Sequence, residues 1–156
     1  MATLVVVTAS FLAVLLQPGG LPAGPMPDGF SSFERSRLAA AQDIEKRIKI
    51  YTDLSDDRRR TIERAVAEQN FEAITLALKS WGEALGYSLA DIQSNAGRKS
   101  KSKALKNYEI HLRKAIGTVG DLKTRGGSYE QFQQFEAWLR HAGEIQKKLV
   151  AILFPG

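Results

Sequence analysis

Residues 105–145, LKNYEIHLRKAIGTVGDLKTRGGSYEQFQQFEAWLRHAGEI, decide the fold class. Apolar side chains recur at helical spacing on both sides of the Gly126-Gly127 pair, so each side predicts an amphipathic α-helix. Two glycines allow only a short connection, and the two helices must therefore fold back on each other antiparallel. The apolar positions of this hairpin are Leu105, Tyr108, Leu112, Ile116, Val119, Leu122, Phe132, Phe135, Trp138, Leu139, Ala142, Ile145, Leu149 and Ile152.

The helical pattern continues upstream, since residues 31–154 contain no proline and no alternating strand-like run. The sequence therefore predicts an all-α fold, a bundle of four to five mostly antiparallel helices that forms a single domain over residues 31–154. The predicted helices run from Ser31 to about Asp53, from Ser55, from Asn70 to about Ser94, from about Ser100 to Arg125, and from Ser128 onward.

Helix starts are predicted from capping residues. Ser31 with Glu34 and Ser128 with Gln131 match the capping box, in which both side chains satisfy free backbone amides of the first turn. Ser55 precedes a pair of aspartates that suit the positive end of the helix dipole, so we expect a second helix to begin there. The inner faces of the first and third helices are predicted to carry Phe33, Ala41, Ile44, Ile48, Tyr51, Phe71, Ile74, Leu78, Trp81, Leu85 and Ile92.

The chain begins with an apolar segment that predicts export. Residues 4–16 carry no charge, and a run of about 13 residues is typical of a secretory signal, whereas a membrane-spanning helix needs about 20. Residues 1–23 are predicted to be a signal peptide, cleaved after Ala23, or a membrane anchor with membrane contact through residues 4–16. An N-terminal element that packs into the core is the remaining alternative. Residues 24–30, rich in proline and glycine, are predicted to be a linker.

Several kinds of chemistry are disfavoured. The chain has no cysteine, which excludes disulfides, thiolate metal sites and a cysteine nucleophile. The two histidines, His111 and His141, fall short of the three protein ligands that zinc needs, so we predict no metal site and no cofactor. No nucleophile motif occurs, and an enzyme with an unrecognised carboxylate site is a minor alternative. Gly117 and Gly120 are interpreted as a place of close helix packing.

Positive charge is concentrated in one segment. The formal charge of the whole chain is +5, but residues 98–125 hold nine basic and two acidic residues, a formal +7. On a helical wheel the cations of the fourth helix lie opposite its apolar stripe, and only Ile110 lies among them. The predicted partner-binding surface comprises Arg98, Lys99, Lys101, Lys103, Lys106, Arg113 and Lys114.

This surface predicts an anionic partner, although a solvated lysine-rich face would have the same sequence. The favoured hypothesis is an exported binding or accessory protein, periplasmic or extracellular, that docks on an anionic protein or envelope surface. If residues 1–23 are retained, the protein is instead membrane-anchored. One alternative function is a periplasmic chaperone-like holdase. Another is a cytoplasmic nucleic-acid-binding protein, which is disfavoured because the stripe has no aromatic side chain for base stacking.

Overall fold

The computed structural model describes Gly20, Pro22, residues 24–126 and residues 128–156. This part of the chain contains five α-helices and one 3-10 turn, so the predicted all-α bundle is confirmed. The predicted signal or anchor, residues 1–23, lies outside the described residues apart from Gly20 and Pro22. The elements are α1 (Ser32–Ala40), α2 (Ile44–Ala67), α3 (Phe71–Asn95), the 3-10 turn (Gly97–Lys99), α4 (Lys103–Lys123) and α5 (Tyr129–Leu153).

The four long helices form a closed bundle in which α2 packs on α3 and α4, and α5 packs on the same two helices. Consecutive helices run antiparallel. Trp81 of α3 bonds to Ser55 of α2, whereas Asp91, further along α3, bonds to the earlier residue Tyr51. Because direction alternates along the chain, the neighbours α2 and α4 run parallel, as do α3 and α5. The connection between α3 and α4 therefore crosses one end of the bundle diagonally.

The core lies between these four helices and is centred on two tryptophans. The rings of Trp81 and Trp138 are 4.3 Å apart, centroid to centroid, and both side chains are buried as predicted. Gly82 of α3 faces α5, and the Nε2 atom of His141 lies 3.0 Å from its backbone oxygen. The interpretation of Gly117 and Gly120 as close-packing positions is wrong, since a Cβ at either would meet nothing within 4 Å.

The boundary between the first two helices differs from the prediction. Ser55 does not begin a helix but lies buried within α2, where its hydroxyl accepts a hydrogen bond of 2.8 Å from the Trp81 indole. The chain breaks instead at residues 41–43. Asp43 caps α2 by accepting a bond of 2.7 Å from the backbone amide of Glu45. The serine and acids at 55–57 imitate a helix start, but the core needs Ser55 as a partner for a buried indole.

Three further predictions concern two capping boxes and one aromatic side chain. The capping box of Ser31 and Glu34 is confirmed in both directions. The second box is wrong, because the Ser128 side chain makes no capping bond and contacts the Gln131 side chain instead. The predicted inward orientation of Phe33 is also wrong, because this side chain is 70% exposed and lies beside the guanidinium of Arg37.

Residues 26–30, which fall in the predicted linker, lie against the bundle. Arg35 of α1 donates hydrogen bonds to the backbone oxygens of Met26, Pro27 and Phe30. The Phe30 ring is buried and meets the Tyr87 ring edge-on at 5.3 Å. This segment therefore belongs to the packed part of the domain and holds α1 against α3.

Candidate functional site

One end of the bundle gathers most of the positive charge. It is formed by the first turns of α2 and α4, the last turns of α3 and α5, and the connection between α3 and α4, because helix direction alternates. We call this the basic end and define it as residues 42–50, 91–106 and 144–156. These residues include ten basic and four acidic side chains, a formal +6, whereas the rest of the chain carries twelve basic and thirteen acidic ones.

The start of α4 presents lysines where a helix disfavours them. Ser102 caps the helix by accepting a bond of 3.3 Å from the Leu105 amide. The first turn then carries Lys103 and Lys106 and no acid. Cations at this position oppose the helix dipole and cost a few tenths of a kcal/mol each, so these lysines do not serve the stability of α4.

Lys99 differs from the other predicted surface residues. The predicted fourth helix began too early, and Lys99 lies in the 3-10 turn rather than on the α4 stripe. Its ammonium group contacts Asp43 at 2.7 Å and Glu45 at 3.5 Å, at the start of α2. The hydrogen bond from Lys99 holds the pKa of Asp43 below its usual range, and the bond to Asp43 raises the pKa of Lys99. Lys99 therefore ties the 3-10 turn to α2.

The remaining predicted cations divide into two groups. Arg113 lies 3.6 Å from Glu109, a largely buried carboxylate that also accepts a bond of 2.8 Å from Gln146. The other five are exposed, and none has an ion-pair partner among the described residues. These five are Arg98, Lys101, Lys103, Lys106 and Lys114.

A buried ion pair beneath the basic end fixes its geometry. The Arg47 guanidinium binds Asp91 through two parallel hydrogen bonds of 2.7 and 2.9 Å, and both side chains are almost completely buried. The same guanidinium donates bonds of 3.0 Å to the backbone oxygens of Ala41 and Gln42, at the break before α2. One side chain thus joins α2, α3 and the α1–α2 connection.

Two more donors complete this network. The Tyr51 hydroxyl and the Asn95 amide each donate a bond of 2.7 Å to Asp91. Burial, with the nearby charge of Asp91, raises the pKa of Tyr51, so its hydroxyl stays protonated and donates. Burial is the largest single effect on the pKa of Arg47 and lowers it, but the hydrogen bond to Asp91 and the charge of Asp91 together raise it, and the net shift is upward.

This pair was not predicted from the sequence, although the sequence contains a signal for it. Arg47 lies one residue before Ile48 on the inner stripe of α2, and Asp91 lies one residue before Ile92 on that of α3. A single charge of each sign on two facing apolar stripes is the pattern of a buried ion pair.

A surface cavity of about 260 Å³ lies between α2 and α4, next to Lys114 and His111. The cavity is also lined by Arg59, which is already paired at 2.7 Å with Asp56 and at 2.7 Å with Glu63. The hydrogen bond from Arg59 lowers the pKa of Asp56, which keeps the carboxylate charged. The two carboxylates therefore balance the charges of Arg59 and Lys114, and the cavity is not an anion pocket. Lys114 remains an exposed cation on the face of α4.

The histidines lie apart from one another. His111 is exposed beside this cavity, and the Nε2 atom of His141 lies 3.0 Å from the backbone oxygen of Gly82. In the described part of the chain, no group of three or more histidine, aspartate or glutamate side chains could hold a metal ion.

Of the helices described, none is both long and apolar enough to cross a membrane.

No protein-family model matches the chain, and neither a curated protein nor a solved structure is significantly similar to it.

Proposed function

We propose that the chain is an exported binding or accessory protein that docks on an anionic partner through the basic end and the adjoining face of α4. One observation carries this proposal: Arg98, Lys101, Lys103 and Lys106 are exposed and have no ion-pair partner among the described residues. Outside the basic end half of the cations form ion pairs, as Arg59 and Arg60 do with Asp56. At the basic end only Arg47, Lys99 and Lys147 do so among the described residues.

The charge cannot be explained by the needs of the fold. Lys103 and Lys106 oppose the dipole of α4, and exposed cations in high dielectric contribute little to stability. Concentrated charge of one sign instead steers an oppositely charged partner and accelerates its association. Docking on an anionic surface is the function that such an arrangement serves.

The test compares two variants of the full chain that lose the same charge at opposite places. The first carries Arg98→Gln, Lys101→Gln and Lys103→Gln at the basic end. The matched control carries Arg64→Gln, Lys79→Gln and Arg125→Gln, which are exposed and also have no ion-pair partner in the described structure.

Binding to a total cell-envelope fraction is measured by co-sedimentation. We expect the first variant to lose most of its binding and the control to bind like the unmodified chain. Equal binding by both variants would show that this end does not dock, and equal loss would show that only net charge matters.

A holdase function has support at the opposite end of the bundle. Leu76 is 60% exposed, and Phe71 and Phe132 are also partly exposed in the first turns of α3 and α5. Exposed apolar side chains can hold unfolded clients. Suppression of the aggregation of a reduced, unfolded client at equimolar ratio, lost on Leu76→Ser, would support this second function.

A further inference from the structure

We propose that the anionic partner is a phospholipid bilayer and that the basic end is the surface that faces it, while the apolar segment 4–16 contacts the same bilayer. This inference rests on the proposed function, names its partner and concerns the chain that retains residues 1–23. Three features of the molecule carry it: the place where the chain reaches the bundle, the unpaired charge at that place, and an exposed aromatic side chain beside it.

The chain reaches the bundle at the basic end. The backbone oxygen of Gly20 accepts a bond of 3.4 Å from the guanidinium of Arg47, in the first turn of α2. Four residues of chain lead from Leu16 to Gly20, which limits their separation to about 14 Å. A bilayer in contact with residues 4–16 is therefore close to the basic end and far from the opposite end of the bundle.

The apolar segment needs a second source of affinity. Residues 4–16 are shorter than the roughly 20 residues that span a bilayer. A single acyl chain gives only marginal membrane binding, and a polybasic patch is a common second signal that makes the anchoring stable. The exposed cations of the basic end supply that signal, since each lysine or arginine near an anionic leaflet strengthens binding roughly five-fold.

An aromatic side chain projects from the same end. Phe154 follows the last turn of α5 and is 68% exposed. Two exposed lysines lie within two turns of it: Lys148, and Lys147, whose ammonium group is 3.1 Å from Glu144. Aromatic rings flanked by lysines are typical of protein surfaces that settle at the boundary between headgroups and acyl chains. An acidic protein would use only the charges, whereas a bilayer uses the charges, the ring and the apolar segment together.

The test is flotation of the full chain with vesicles. One set is made of phosphatidylcholine alone, and the other contains equal amounts of phosphatidylcholine and phosphatidylglycerol. We expect strong binding to the second set only. The Arg98→Gln, Lys101→Gln, Lys103→Gln variant should bind those vesicles roughly 100-fold more weakly, and the Arg64→Gln, Lys79→Gln, Arg125→Gln control should stay within a few-fold of the unmodified chain.

Other outcomes overturn the inference in distinguishable ways. Binding to the envelope fraction without binding to either vesicle would mean that the partner is an acidic protein or polymer, so the proposed function would stand and the lipid assignment would fall. Absence of binding to both materials would refute both. Equal binding of the two vesicle types would mean that the charges play no part.

A second measurement tests the orientation without altering any charge. Trp81 and Trp138 are buried, so their fluorescence should not respond to vesicles. Phe154→Trp adds an exposed reporter at the basic end, and we expect the emission of this added indole to shift to the blue when anionic vesicles are added. A Phe154→Trp protein that binds the vesicles without a blue shift would show that another face meets the bilayer.

Discussion

Replacing Asp91 with alanine tests the buried network that holds the basic end in place. The substitution removes the carboxylate that accepts two bonds from Arg47, one from Tyr51 and one from Asn95. It leaves the Arg47 guanidinium buried without its counter-charge. Losing one partner of a buried ion pair costs about 3–5 kcal/mol, so we expect the free energy of unfolding to fall by that amount.

The assay is urea unfolding followed by far-ultraviolet circular dichroism and by tryptophan fluorescence. A loss of this size lowers the midpoint by roughly 2 M urea and the melting temperature by about 6–20 °C. The control is Asp53→Ala, which removes an exposed carboxylate 3.2 Å from Arg37. That variant should lose no more than about 1 kcal/mol, because solvent screens the exposed pair.

A double-mutant cycle decides whether the two charges act together. Arg47→Met alone leaves Asp91 buried without its cation, and we expect a loss similar to that of Asp91→Ala. The double variant should lose at least about 1 kcal/mol less than the sum of the two single losses, because neither charge is then stranded. Additive losses, or a single loss as small as that of Asp53→Ala, would refute the reasoning.

The remaining predictions concern single positions. Lys99→Gln should raise the pKa of Asp43 toward its ordinary value in a carbon-13 NMR titration. Because the folded-state pKa of Asp43 is lowered, its pair with Lys99 stabilises the protein only while the carboxylate is charged. The stability difference between Lys99→Gln and the unmodified chain should therefore vanish as the pH falls through the folded-state pKa of Asp43. Gly126→Ala should destabilise the fold by roughly 1–3 kcal/mol in urea unfolding, since its Cβ would overlap the buried ring of Phe135. Gly117→Ala should instead stabilise it by about 0.5–1 kcal/mol, because its Cβ meets nothing and α4 gains a better helix former.

The helices were predictable where periodicity and capping agree. The third predicted helix began at Asn70, which caps α3 by accepting a bond of 3.1 Å from the Ala73 amide. Apolar spacing also placed Trp81 and Trp138 in the core correctly. Prediction failed at Ser55, because a local capping pattern cannot show that a distant indole needs the same hydroxyl.

The surface was only partly predictable for a related reason. Composition located the positive charge, and a helical wheel separated it from the core. Neither could show which cations have partners far away in the sequence, as Lys99 has in Asp43. Nor could they show that Phe154 and the approach of the chain at Gly20 lie at the same end, since this follows from the alternating direction of the helices and from the bond between Arg47 and Gly20.

Hydrogen exchange of the full chain, with and without vesicles that contain phosphatidylglycerol, maps the surface that meets the bilayer. We expect binding to slow exchange in residues 96–106 and 153–156 and to leave the opposite end, residues 68–72 and 124–126, unchanged. Slower exchange at the opposite end, or along the outer face of α5 alone, would contradict this prediction.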